Sequence, residues 1–190
     1  IKHKIGFYDE AKNISFKLLK NDLNDNQKYL LYYLMAHILH DELNIIERNK
    51  YFDLAIETAS NNIQKNKIYY FLLTQAETEG DIILASKYIN KIEENSINNN
   101  LSESLLEKWM KYNRAAGNYS NILDKIEDLL NKSNYNQIVS YKIEKARTYL
   151  DMQNFLKSKE LLEEIIVNYS GNSSYKKQLC EAHNLLGEIY

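Results

Sequence analysis

The residues best suited to chemistry are two histidines and two acids in one short segment, His37, His40, Asp41 and Glu42. Histidines three positions apart on a helix share a face, and a neighbouring carboxylate could complete a metal site. A zinc-protease helix, however, needs histidines four positions apart with a glutamate between them. We therefore expect His40 to line the end of a helix and His37 to face a groove, and we predict no metal.

Other patterns that carry catalysis are missing from the sequence. It contains no glycine-rich phosphate loop, no Gly-x-Ser-x-Gly elbow and no kinase signature. Cys180 has His183 nearby, but such pairs on a helix are usually packing residues. Acidic pairs such as Glu93–Glu94 are typical of a solvated helix face. The sequence therefore predicts neither an enzyme nor a cofactor.

Composition restricts the partners. The 190 residues carry a formal net charge of -2, which gives no general attraction to nucleic acid or to anionic lipid. No apolar run approaches the roughly 18 residues of a membrane span. The single cysteine favours a cytoplasmic location, although a periplasmic or surface location stays open. The chain begins at Ile1 and stops at Tyr190 within a helical pattern, so we expect a piece of a longer protein.

The elements that must position these residues are predicted to be helices. Apolar residues recur at helical spacing, as in Leu161, Leu162, Ile165 and Ile166, and the chain contains no proline. Polar clusters at 21–26, 95–100, 131–136 and 169–174 divide the chain into segments the size of a helix pair. The fold class is therefore predicted to be all-α.

One turn recurs inside these segments. It reads glycine, any residue, an aromatic or isoleucine, two further residues and a small residue, in copies at 6–11, 80–85 and 117–122, the last with isoleucine in place of the small residue. A fourth copy at 153–158 keeps the aromatic and the small residue but has Gln153 in place of the glycine. A fifth copy without the glycine is predicted at 50–55. Glycine can adopt the left-handed conformation that ends a helix, and three of the five glycines, Gly6, Gly80 and Gly117, occupy this position.

The repeated turn resembles that of the tetratricopeptide repeat family. The residues at the last position of the turn differ in number by 44, 30, 37 and 36, around the roughly 34-residue period of that family (Ala11, Ala55, Ala85, Ile122 and Ser158). The closing Leu186-Gly187-Glu188-Ile189-Tyr190 is similar to the core of its first helix. The usual proline is missing and the spacing is uneven.

The resemblance implies a right-handed α-solenoid of antiparallel helix pairs. Residues 1–190 would form one array of about five repeats. The alternative fold is another helical-hairpin array, since 109–117 also resembles the helical repeats that flank the large PI3-kinase-related kinases.

The resemblance also implies where a partner binds, because first helices line the concave groove in that family. First helices are expected at 25–43, 67–79, 102–116, 137–151 and 173–190. The groove residues that follow from them are Leu30, Leu34, His37, Tyr70, Thr74, Glu77, Lys111, Arg114, Ile143, Arg147, Asn184 and Glu188.

These residues predict a ligand with two parts. Leu30, Leu34 and Tyr70 would take apolar side chains, whereas Lys111, Arg114 and Arg147 would hold an acidic or free carboxyl-terminal end. The open alternative is that the cations are solvated or paired with acids such as Glu107 and Glu144.

The predicted function is a scaffold module that binds a protein or peptide. The alternative is the peptide-sensing domain of a transcription regulator, as in some Gram-positive bacteria, whose DNA-binding domain would lie outside the chain. Homodimers through the solenoid ends, around 5–19 and 185–190, are a further expectation.

Overall fold

The computed structural model describes residues 7–96, 101–133 and 135–190, and these form α-helices without any strand. The helices are α1 (Tyr8–Leu19), α2 (Asp25–Asp41), α3 (Ile45–Thr58), α4 (Asn62–Glu79), α5 (Ile82–Glu94), α6 (Glu103–Ala115), α7 (Tyr119–Lys132), α8 (Tyr135–Asp151), α9 (Phe155–Tyr169) and α10 (Lys176–Ile189), with a 3₁₀ turn at Ser173–Tyr175. The predicted all-α class is confirmed. Gly6 and Ile5, to which predictions above apply, lie outside the described residues.

The turns between four pairs of consecutive helices share one hydrogen-bonded geometry (α2 and α3, α4 and α5, α6 and α7, α8 and α9). At each turn one residue is left-handed: Leu43, Gly80, Gly117 and Gln153, with φ of 60°, 72°, 76° and 58°. That residue donates its N–H to the carbonyl three positions earlier, and the next residue donates to the carbonyl five positions earlier, at 2.8 to 3.3 Å. This pair of bonds satisfies carbonyls that the ending helix leaves open, and it therefore stops each first helix at a fixed residue.

The left-handed residues correct the predicted spacing. Their numbers differ by 37, 37 and 36, so the turns are regularly spaced along the chain. The predicted copy at 50–55 is wrong, because Lys50 lies inside α3 and the turn falls at Leu43 instead. Burial follows the same period. The residues five positions after the left-handed residue are buried (Arg48, Ala85, Ile122, Ser158), and so are those nine positions after it (Phe52, Ile89, Ile126, Leu162).

Asparagine side chains start several helices. Asn24, Asn44, Asn61 and Asn154 each accept a hydrogen bond from the backbone N–H three positions later, at 3.0 to 3.3 Å. Asp81 does the same for α5 at 2.9 Å. Such caps satisfy N–H groups that have no partner within the helix. In three of the turns, one residue thus closes a helix with its backbone and opens the next with its side chain (Asn44, Asp81 and Asn154).

The chain divides into two compact units, Ile1–Glu103 and Ser104–Tyr190. In the first, the five helices α1 to α5 pack in sequence, each on its neighbour in the chain, around a core that contains Tyr29, Phe52, Ile68 and Leu72. On α1, Ile14 and Phe16 stay about half exposed. No helix among the described residues is long and apolar enough to cross a membrane.

In the second unit, α8 is the central helix. It packs on α7, α9 and α10, and Val139, Ile143 and Ala146 lie in the core beside Leu162 and Leu185. Leu185 was expected at an exposed end but is buried. The predicted helix at 173–190 is interrupted, since the 3₁₀ turn precedes α10.

Gly117 gives a test of the turn geometry. We expect Gly117→Ala to lower the free energy of unfolding by about 1–2 kcal/mol, because an L side chain disfavours a left-handed backbone. No neighbouring atom would obstruct the added carbon, so strain alone should act. Gly187→Ala is the matched control, as Gly187 lies inside α10 with open space around it. That change should stabilise the protein by about 0.5–1 kcal/mol. Urea unfolding would contradict the assignment if both changes shifted stability in the same direction.

Candidate functional site

In the first unit, side chains of α2 contact side chains of α4. The amide of Gln64 donates to Asn26 at 2.8 Å. Phe71 contacts His37 and His40 edge to face, with ring centroids 4.7 and 4.9 Å apart. The Lys67 ammonium lies 4.6 Å from the centroid of the Tyr33 ring. Side chains of α2 and α4 therefore contact each other at several points along the two helices.

The histidines and acids of the 37–42 segment point to different neighbours. His37 and His40 pack against aromatic rings of the core, whereas Asp41 and Glu42 face α1. The Tyr8 hydroxyl donates to Asp41 at 2.7 Å and the Lys12 ammonium to Glu42 at 2.6 Å. The hydrogen bond to Asp41 is the main cause of a raised pKa for Tyr8. Among the described residues, no three metal-ligating side chains come together.

The predicted groove residues of the first unit differ in exposure. Leu30, Leu34 and Tyr70 are 55%, 46% and 40% exposed. Thr74 is exposed and donates its hydroxyl to the Tyr70 carbonyl, while His37 and Glu77 are half-buried. Leu34 lies one helical turn from both Leu30 and His37. The structure therefore places His37 against α4 and leaves the larger apolar side chains accessible.

In the second unit, the predicted cations are already paired. The Arg114 guanidinium lies 2.7 Å from Glu144 and 2.8 Å from Asp151. Arg147 pairs with Glu181 and lies 3.5 Å from Glu144. The sequence left open that these arginines pair with acids such as Glu144, and the structure shows that pairing. The expectation that Arg114 and Arg147 are available to a ligand is therefore wrong. These bonds join α6, α8 and α10.

Asp151 shows how the charges balance in this network. Burial raises the pKa of its carboxyl, and the nearby Glu144 and Glu188 charges act in the same direction. Arg114 and Arg147 act against these effects without cancelling them. Three carboxylates thus share two guanidinium groups, so this surface carries no surplus of positive charge.

Three predicted residues of the second unit remain. Ile143 is 1% exposed and lies in the core, so the expectation that it faces a groove is wrong. Its burial follows from the packing of α8 against three helices. Lys111 is exposed, with its ammonium 5.3 Å from the Tyr112 ring centroid, and Asn184 and Glu188 are also exposed.

A cleft between α3, α4 and α5 was not predicted. It includes Asn49, Asp53 and Glu57 of α3 and two tyrosines, Tyr69 and Tyr88. The available signal was the run of polar residues at four-residue steps on α3, which places them on one helix face. The sequence could not show that α4 and α5 would enclose that face.

No protein-family model matches this chain, and no curated protein matches it either.

Proposed function

We propose that the chain is a tetratricopeptide-like module that binds a polypeptide through the surface of its first helices. The regular turns and the burial pattern that repeats with them support a helical-repeat architecture. In such arrays each pair covers the apolar face of its neighbour, and adjacent first helices together offer one extended surface. The proposal assigns no catalytic residue.

The observation that carries the proposal is the apolar surface of α2 and α4. Three side chains remain about half exposed although α2 and α4 contact each other through Phe71 and Tyr33: Leu30, Leu34 and Tyr70. Single exposed apolar residues are common, but several on adjoining helices indicate an interaction surface. Partial burial also raises the pKa of the Tyr70 phenol. We name this surface, made of Leu30, Leu34, Tyr70 and Thr74, the α2–α4 face.

The ion pairs of the second unit change the ligand that we propose. A carboxylate would have to compete with Glu144, Asp151 and Glu181 for two arginines. Displacing a partly buried ion pair leaves its former partner uncompensated, which is costly. We therefore propose a ligand whose apolar side chains pack on the α2–α4 face, and we retain no requirement for an acidic end.

Selection from a displayed random peptide library on the purified chain tests this function. Peptides selected on the wild type should bind Leu34→Asp and Tyr70→Ala about tenfold or more weakly, the loss typical of a residue central to an interface. Fluorescence anisotropy would measure the affinities. Leu156→Asp is the control, since Leu156 is exposed on α9 in the other unit. Equal affinity for all four proteins, or a selection that enriches no peptide, would refute the proposal.

A further inference from the structure

The cleft between α3, α4 and α5 has an apolar floor and polar walls. Its volume is about 620 Å³, and Phe52, Ile56, Leu72 and Leu84 form the floor. That volume is within the range of pockets that hold small ligands or side chains. Its residues all belong to the first unit and differ from those of the α2–α4 face.

Two tyrosines line the cleft. The Tyr69 and Tyr88 rings stack with their centroids 6.4 Å apart and an angle of 29° between their planes. Burial is the main cause of a raised pKa in both phenols, and the charge of Asp53 adds to it. Neither phenol hydroxyl is hydrogen-bonded to another described residue. The rings thus offer an electron-rich surface, with hydroxyls available to a ligand.

Two carboxylates stand one helical turn apart on the α3 wall. Asp53 and Glu57 are exposed and have no ion-pair partner within the described part of the chain. Lys91, across the cleft, is already held by Glu94 at 2.6 Å. Lys87 is exposed at the rim of the α5 wall. The carboxylates of Asp53 and Glu57 are therefore the charges without an ion-pair partner on the α3 wall. They are opposed by Lys87 at the rim and by the buried Arg48, whose charge acts on Tyr88 to lower its pKa.

We propose that this cleft receives an arginine or lysine side chain of a partner polypeptide. The cationic group would pair with Asp53 and Glu57 and lie against the rings of Tyr69 and Tyr88. Charge-assisted hydrogen bonds and cation–π contacts both favour such a group. The methylene stem would cover the apolar floor, as long basic side chains commonly do on apolar surfaces. The cleft is larger than one side chain, which leaves room for flanking residues and favours a peptide over a free amine.

The test uses the peptide acetyl-Ala-Arg-Ala-amide and nuclear magnetic resonance of the isotopically labelled full chain. We expect saturable shifts at Asp53, Glu57, Tyr69 and Tyr88. The same peptide with citrulline, a neutral isostere of arginine, should bind about tenfold more weakly, as should the double variant Asp53→Asn with Glu57→Gln. Glu160→Gln is the matched control, since Glu160 is an exposed acid on α9, and it should leave the affinity unchanged.

A further variant distinguishes loss of the cation site from loss of binding through misfolding. Lys87→Gln removes the opposing charge at the rim, so it should tighten binding about threefold, which an unfolded protein could not do. Equal binding of the citrulline peptide, or equal loss in Glu160→Gln, would mean that no specific cation site exists. If agmatine, a free guanidinium compound, bound as tightly as the peptide, the proposal that the ligand is a polypeptide would be refuted. None of these variants alters the α2–α4 face. The cation site can therefore fail its test while the function proposed above stands.

Discussion

Replacing Phe52 with alanine is expected to lower the free energy of unfolding by about 3–5 kcal/mol. Phe52 is 1% exposed. Its ring centroid lies 5.2 Å from that of Phe71 on α4 and 5.5 Å from that of His37 on α2. Its removal would leave a cavity that these rings cannot close without leaving their packed positions. The favourable packing of aromatic ring against aromatic ring would disappear as well, which adds to the cost of the cavity.

Urea unfolding followed by far-ultraviolet circular dichroism measures this effect. Phe155→Ala is the matched control, because Phe155 is 49% exposed at the start of α9. That change should cost less than about 1 kcal/mol, since little apolar surface returns to water. A similar loss in both variants would contradict the assignment of Phe52 to the centre of the first core.

The second large effect is expected from Ala146→Leu, which should destabilise the protein by about 1–3 kcal/mol or more. Ala146 is fully buried on α8, and the hydroxyl of Ser158 on α9 donates to its carbonyl at 2.8 Å. Small side chains let the two helices approach this closely, so a leucine has no space unless the helices separate. Separation would also break the buried hydrogen bond.

The control for overpacking is Ala115→Leu at the exposed end of α6. There the larger side chain meets solvent, and a change within about 0.5 kcal/mol is expected. If Ala146→Leu unfolded at the same urea concentration as the wild type, close packing between α8 and α9 would be excluded.

The turns show what local sequence could predict. The left-handed conformation predicted for Gly80 and Gly117 is confirmed, because glycine at a helix end carries a local signal. The turn at Leu43 was missed since a leucine rarely adopts positive φ. The cap at Asn44 could have identified it, as could its distance of 37 residues from Gly80. The aromatic residue at 52 matched the aromatic position of the turn, so the turn was placed at 50–55, inside α3.

The candidate site was less predictable because its contacts join distant parts of the chain. Arg114 and Glu144 are 30 positions apart, so their pairing depends on how α6 and α8 pack. Helical periodicity assigned Ile143 to a surface, but it could not tell which sides of α8 are covered. The cleft of Asp53 and Tyr88 depends in the same way on three helices.

The asparagine caps have a consequence for the response to acid. The side-chain amides of Asn24, Asn44, Asn61 and Asn154 carry no charge, so acidification leaves them able to accept the hydrogen bonds that start α2, α3, α4 and α9. Asp81, which starts α5, instead accepts its hydrogen bond with a carboxylate, whose charge strengthens that bond. Increasing salt should weaken the Asp81 cap more than the asparagine caps, because screening weakens a charged cap and has little effect on a neutral one. The hydrogen bonds that cap these four helices should therefore depend little on pH or on ionic strength.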